Sequence, residues 1–264
     1  MKDYELVIAY IAAALLGLLV GGLLNILIRR LPRGVSPLKC PSCHARVRWY
    51  DAIPLFSYII LRGRCRSCGS RIPLRYPFIE AANCLLWVCS VAWFSPYGVG
   101  MTAVVCVALS ALLALSVADL ETMLLPDSLI ITFALSGCAM LVIDVCGVGV
   151  GIGWVSRLIG MAAGFVFFGL FYFGCRLIFK REGLGFGDVK LMAAAGLVLG
   201  WQSLIFSVLL GSVSAALVLG GIRLCNPKGE KKEFAFAPFL AAAIAVSLFF
   251  GQTVMGWYFG LFLA

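Results

Sequence analysis

The chain has 264 residues, of which 62% are hydrophobic and only 12% are charged, and its formal net charge is +9. A water-soluble domain of this length needs a more charged surface, so the composition excludes that class and predicts a polytopic membrane protein. In a membrane protein, Lys and Arg in the loops set the orientation of the chain in the lipid bilayer. The positive charge is therefore explained without a nucleic-acid partner. We therefore predict no nucleic-acid binding.

The apolar runs predict an all-α chain with about eight transmembrane helices. A bilayer core needs roughly 20 apolar helical residues per span. On that basis the spans lie near residues 6–28, 78–95, 99–118, 128–146, 153–175, 188–200, 202–222 and 237–263. The apolar stretch 188–222 is too long for one span, so we divide it at Gly200-Trp201-Gln202. Its first arm is short for a full crossing, which predicts that Asp188 lies below the membrane surface.

The spans and their connections divide the chain into three predicted regions: a first transmembrane helix at 1–29, a cytoplasmic loop at 30–76 and a transmembrane core at 77–264. Basic residues concentrate in alternate connections, and Lys and Arg mark the cytoplasmic side of short loops. With eight spans, both termini face outside. The same count puts Asp119, Asp127 and Asp188 at the cytoplasmic face of the membrane.

The cytoplasmic loop carries two Cys-x-x-Cys pairs, Cys40 with Cys43 and Cys65 with Cys68. This paired spacing is typical of tetrahedral zinc sites, and a reducing cytoplasm favours metal over disulfides. Four thiolates close the coordination shell, so the predicted zinc is structural and orders a small polar loop. Free thiols are the alternative. His44 adjoins Cys43 and is predicted to be a solvated loop residue.

Acids at the cytoplasmic ends of apolar runs predict hydrolytic chemistry. Two neighbouring carboxyl groups hydrolyse a peptide when one is protonated and polarises the carbonyl while the other takes a proton from water. Asp119 ends one run, and Asp188 opens another after Gly185 and Gly187. The glycines permit positive φ and close backbone approach, so the chain can unwind there and present Asp188 to a substrate.

Helix capping is the alternative for two of these acids. Asp188 and Asp127 each precede an apolar run, where Asp is a favoured N-cap residue. Asp119 instead ends a helix, where an anion opposes the helix dipole, so we favour Asp119 over Asp127 as the first catalytic carboxylate. Lys190 either stabilises an ionised Asp188 or anchors its helix at the lipid headgroups.

These blocks resemble the type IV prepilin peptidases, which belong with the Gly-x-Gly-Asp intramembrane aspartyl proteases. The resemblance covers almost the whole chain. Its blocks are residues 22–32, the four-cysteine loop with residues 75–80, Asp119 with residues 125–127, residues 185–188 and residues 236–241. The last block usually has glycine where this chain has Ala237.

The resemblance implies a bifunctional enzyme of the bacterial cytoplasmic (inner) membrane that serves type IV pili or type II secretion. Such an enzyme removes the basic leader peptide of prepilins or pseudopilins at the cytoplasmic face and then N-methylates the new N-terminal residue with S-adenosylmethionine. Asp119 and Asp188 would be its catalytic residues. The supporting residues would be Gly185, Gly187, Asp127 and Lys190.

The location of the methyl transfer is less defined, because the sequence has no nucleotide-binding βαβ pattern. We place it provisionally near the cysteine loop and Glu80, although Asn25 and Glu80 are equally explained by a hydrogen bond between helices or by an interfacial carboxylate. Two other functions stay open. One is a transporter or assembly scaffold whose acids bind protons or cations, and the other is a related peptidase with other membrane substrates.

Overall fold

The computed structural model describes residues 3–33, 40, 42–43, 45–46, 54–179, 185–225 and 235–263. The predicted solvated position of His44 lies outside the described residues, as do residues 34–39 and 47–53 of the predicted cytoplasmic loop.

The described residues are mainly helical, and Arg64 and Arg71 form an isolated antiparallel β-bridge. The helices are α1 (Asp3–Arg33), α2 (Phe56–Ile60), α3 (Arg75–Phe94), α4 (Val99–Thr122), α5 (Asp127–Val145), α6 (Trp154–Phe179), α7 (Phe186–Cys225) and α8 (Ala237–Leu263). Within these ranges, seven helices, all except α2, are long and apolar enough to cross a membrane. The predicted all-α membrane fold is therefore confirmed.

Helix α7 contains the sixth and seventh predicted spans, so seven helices account for about eight spans. Gly200 interrupts α7 with φ 76° and ψ 166°, a conformation that residues with a side chain rarely adopt. A Cβ atom on Gly200 would also lie only 2.7 Å from Cγ2 of Ile152. The predicted division of this stretch at residues 200–202 is confirmed, with the interruption at Gly200, and the first arm of α7 runs from Phe186 to Gly200.

The chain forms two compact units, and the first (Met1–Ala114) is built on the packing of α1 against α3. Cβ atoms on Gly17 and Gly21 of α1 would lie 2.9 Å and 2.7 Å from backbone atoms of α3. Small residues let membrane helices approach this closely. Asn83 of α3 donates a hydrogen bond of 2.8 Å to the carbonyl of Gly17, which fixes the register of the two helices.

The second unit (Leu115–Ala264) surrounds α7, which packs against α5, α6 and α8. The contact with α6 is a backbone contact, because a Cβ atom on Gly160 would lie 2.5 Å from the carbonyl oxygen of Gly196. Gly164 is equally close to the backbone of Met192. The first arm of α7 therefore lies directly on the backbone of α6.

Candidate active site and metal centre

Asp119 lies in the last turn of α4 and is only 7% exposed. An anion at this position opposes the dipole of its own helix. The start of another helix, α8, offsets this unfavourable interaction. Asp119 Oδ2 accepts a hydrogen bond of 3.2 Å from the backbone N–H of Ala237. Ala237 is the first residue of α8, so the positive end of the α8 dipole faces the carboxylate.

Asp188 is also only 7% exposed and lies in the first turn of α7. The helix begins at Phe186, so Asp188 is not the N-cap residue, and that alternative is wrong. Its backbone N–H donates to the carbonyl of Gly185 at 3.1 Å. The carboxyl group is close enough to Asp119 for the two charges to interact. The structure thus brings together two buried acids that are distant in sequence.

The two glycines before Asp188 have different surroundings. Neither has a positive φ, so that part of the prediction is wrong. Close approach occurs at Gly187, where a Cβ atom would lie 3.0 Å from both Cβ and Cδ1 of Leu125. At Gly185 the nearest atom would be Asp188 Oδ2, at an ordinary 3.5 Å. Gly187 is therefore needed for space against the segment between α4 and α5.

Asp127 and Lys190 form an ion pair of 2.7 Å at the surface of the second unit. Their side chains are 66% and 39% exposed, so the pair contributes little to stability. Asp127 is the first residue of α5 and makes no side-chain capping bond, since the N-cap is Pro126. The capping alternative for Asp127 is therefore wrong. Lys190 pairs with Asp127, and its ammonium lies 5.4 Å from the centre of the Phe186 ring.

The four predicted zinc ligands come together in the first unit. The Sγ atoms of Cys40, Cys43, Cys65 and Cys68 all lie within 4.8 Å of one another. The Cys40 and Cys68 sulfurs are 3.9 Å apart. A tetrahedral zinc ion with Zn–S bonds of about 2.3 Å requires sulfurs about 3.8 Å apart. The cluster can therefore hold one zinc ion.

The surroundings of two of these thiols favour the metal-binding thiolate form. Backbone N–H groups of Cys43 and Ser42 lower the pKa of the Cys40 thiol to about 6. The Ser70 hydroxyl, followed by its backbone N–H, lowers the pKa of Cys68. Thiolates are the forms that coordinate metals, so Cys40 and Cys68 favour metal binding. Burial and hydrogen bonds to the other cysteines instead raise the pKa of the Cys43 thiol to about 11.

Glu80 is buried in α3 and holds two other segments of the first unit. Its Oε1 accepts a hydrogen bond of 3.2 Å from Asn25 Nδ2 of α1. Its Oε2 accepts one of 2.9 Å from the backbone N–H of Leu55, which has φ 57°. The helix-to-helix hydrogen bond that was one alternative for Asn25 and Glu80 is therefore present.

Two family descriptions match the sequence: the bacterial peptidase A24 N-terminal domain at residues 15–94 and the type IV leader peptidase family at residues 106–220. Relatives named prepilin leader peptidase/N-methyltransferase span most of the chain. The one from Aeromonas hydrophila is 34% identical and covers 94% of this chain and 93% of its own. The chain belongs to the type IV leader peptidase family.

Two further relatives of this chain carry the same name. The protein from Burkholderia pseudomallei is 35% identical and covers 90% of this chain and 84% of its own length. The protein from Pseudomonas putida is 33% identical, with coverage of 92% and 91%. No solved structure is significantly similar to this chain.

Two features of this structure were not predicted from the sequence. The first is the buried pair of Asp144 and Arg157, whose signal is a charged residue inside an otherwise apolar span. The second is the glycine contact between α6 and α7. Its signal is the spacing Gly-x-x-x-Gly, which occurs in both helices.

Proposed function

We propose that this chain hydrolyses the leader peptides of prepilins or pseudopilins and then N-methylates the new N-terminal residue. The observation that carries the cleavage step is the pair of buried, interacting carboxyl groups of Asp119 and Asp188. The names of the relatives support the substrate class and the second reaction.

The proposed roles of the two carboxyl groups follow from their partners. Asp119 accepts the N–H of Ala237 at the start of α8, which stabilises its ionised form. Asp188 is the protonated partner, because two neighbouring carboxylates in a dry site do not both ionise. Asp188 donates its proton to the scissile carbonyl oxygen while Asp119 takes a proton from the attacking water. The intermediate, a gem-diol, collapses when its C–N bond breaks, Asp119 passes that proton to the leaving amine, and Asp188 takes a proton back from one of the gem-diol hydroxyl groups.

The proposed location is the bacterial cytoplasmic membrane. The catalytic dyad of Asp119 and Asp188 and the four-cysteine loop would each lie on the cytoplasmic side. The support is the concentration of Lys and Arg in alternate connections between the spans. The division at 1–29, 30–76 and 77–264 remains part of this proposal. A substrate with one apolar helix then presents its basic leader at the membrane face where Asp188 lies in the first turn of α7.

We also propose a structural zinc ion at the four cysteines. The support is the mutual closeness of the four sulfurs. A zinc ion with four thiolate ligands has no open position for substrate, so it orders the loop and takes no part in cleavage.

For the methyl transfer we propose S-adenosylmethionine as the donor, and Glu80 stays the candidate residue for its site. Beside Glu80, Asn25 Oδ1 is buried and accepts no hydrogen bond from the described part of the chain, so it remains available to an amino group. When bound, the donor supplies the methyl group. Glu80→Gln is expected to keep leader cleavage and lose methylation of the product, measured by mass spectrometry; unchanged methylation contradicts this site.

Cleavage of a prepilin by the purified protein in lipid nanodiscs tests the proposed function. Asp119→Asn and Asp188→Asn are expected to abolish cleavage and to leave membrane insertion intact. Asp127→Asn is the matched control and is expected to cleave, since Asp127 is exposed and paired with Lys190. Full cleavage by Asp188→Asn would overturn the dyad. Equal cleavage of unrelated single-span helices would overturn the prepilin specificity.

A further inference from the structure

Arg157 is a fully buried guanidinium group in the first turn of α6. Its Nε donates to Asp144 Oδ2 at 2.6 Å, and the two side chains are 0% and 2% exposed. A Cβ atom on Gly149 would overlap the same Asp144 carboxylate, so the connection between α5 and α6 closes over the pair. An ionised residue in such a place is costly and indicates a specific task.

The Nη1 group of Arg157 lies 3.9 Å from Met140 Sδ of α5 and also binds two carbonyl groups of α7. It donates to the carbonyl oxygen of Leu197 at 3.2 Å and to that of Val198. These two carbonyls precede Gly200, whose φ and ψ interrupt the helix. Backbone carbonyls near a helix break need other partners inside a bilayer, because water does not reach them. Arg157 provides those partners.

The carbonyls that Arg157 binds lie at the opposite end of the α7 arm from Asp188. Nine residues separate Asp188 from Leu197, which is about 14 Å along a helix. The arm also lies directly on the α6 backbone at Gly160 and Gly196. Since a helix of this length moves as one body, the position of its far end sets the depth and tilt of Asp188.

We propose that Arg157, held by Asp144, is a positioning residue for leader cleavage: it fixes the end of the first α7 arm so that Asp188 stays opposite Asp119. The proposal rests on the proposed function, because it requires Asp188 to be catalytic. We call the Arg157–Asp144 pair and its bonds to α7 the clamp. Without the clamp, the break at Gly200 leaves the first arm of α7 free to tilt, and the distance between the Asp119 and Asp188 carboxyl groups changes.

Two variants test the clamp. Arg157→Lys keeps the charge but lacks the planar fork that reaches Asp144 and both carbonyls. Asp144→Asn keeps Arg157 and removes its counter-charge. Arg176→Lys, on the same helix at an exposed position, is the matched control. Each protein is assayed in lipid nanodiscs for kcat and KM of leader cleavage, for the pH profile of kcat/KM, and for thermal unfolding.

Arg157→Lys is expected to lower kcat about 10- to 100-fold, the effect of a misplaced catalytic group, while KM stays within about twofold because substrate binding is retained. The two limbs of its pH profile are expected to move closer together, since separated carboxyl groups influence each other less. Asp144→Asn is expected to lower kcat and to bring the two limbs of the pH profile closer together as well. Arg176→Lys is expected to change neither kcat nor the pH profile.

A clamp that serves only folding lowers the amount of active protein, and so the apparent kcat, but leaves the pH profile of kcat/KM unshifted. A lower kcat with an unshifted pH profile therefore overturns the proposal. Failure of both variants to fold overturns it as well, because the clamp then acts before positioning matters. Wild type and Asp188→Asn are assayed in parallel. An inactive wild type, or full cleavage by Asp188→Asn, refutes the proposed function itself.

Discussion

Asp119 Oδ2 lies 3.2 Å from the backbone nitrogen of Ala237 and accepts its hydrogen bond, so the start of α8 faces a carboxylate at the end of α4. The helix dipole of α4 alone disfavours a negative charge there, and the dipole of α8 favours it. The ionisation of Asp119 therefore depends on a backbone group that is distant in sequence.

Ala237→Pro tests this dependence, because proline removes the N–H and is tolerated at the first position of a helix. A hydrogen bond to a charged group contributes about 1.5–3 kcal/mol, so the rate of leader cleavage is expected to fall about 10- to 100-fold. Ala237→Gly keeps the N–H and is expected to cleave at close to the wild-type rate. Equal rates for the two variants, with equal thermal stability, would show that Asp119 does not need this bond.

The glycines before Asp188 give a second prediction. Gly187→Ala places a Cβ atom 3.0 Å from Leu125, and such overpacking costs about 1–3 kcal/mol. We expect a loss of cleavage activity, partly restored by adding Leu125→Ala, which removes Cδ1 but keeps Cβ. Gly185→Ala is the control and should be nearly silent, since its Cβ makes only an ordinary contact. Equal losses at both glycines would mean that backbone freedom, and not space, is what the site requires.

The sequence was sufficient for features that one segment decides alone. Bilayer thickness fixes the length of an apolar span, so the spans could be read directly, and the overlong stretch 188–222 required a break. Gly200 was the residue able to provide it. The spacing of the cysteines likewise limits the geometry of their cluster.

Features that depend on which helices meet could not be read in this way. The partner of Lys190 is Asp127, 63 residues away, and the donor to Asp119 is a backbone N–H 118 residues away. The sequence around Lys190 or Asp119 does not indicate which residue will be its partner. The positive φ expected at Gly185 and Gly187 was wrong for a related reason, because the constraint on Gly187 comes from Leu125 in another segment.

Metal analysis of the purified protein gives a third prediction. We expect about one zinc ion per chain, the occupancy of a closed four-thiolate site. Cys68→Ser is expected to lose the ion and to make the loop sensitive to proteases, with the helical circular dichroism signal largely retained. Cys89→Ser is the matched control, because Cys89 is exposed on α3 outside the cluster. Protein purified under reducing conditions and found free of zinc would contradict the metal site.

The contact between α6 and α7 gives the fourth prediction. A Cβ atom on Gly196 would overlap the carbonyl group of Gly160, and backbone cannot turn aside as a flexible side chain can. Gly196→Ala is therefore expected to lower the free energy of unfolding by about 3 kcal/mol, the upper end for an overpacked site. Gly169→Ala in α6 meets no atom within 4 Å and should unfold at or above the wild-type temperature.

Thermal unfolding in lipid nanodiscs, followed by tryptophan fluorescence, measures the difference between these two variants. Cleavage should fall in Gly196→Ala as well, because the arm that carries Asp188 is the part of α7 that must move away from α6. If Gly196→Ala and Gly169→Ala unfold at the same temperature, the two helices do not approach through their backbones. In that case the α6 backbone is not what holds the arm in place.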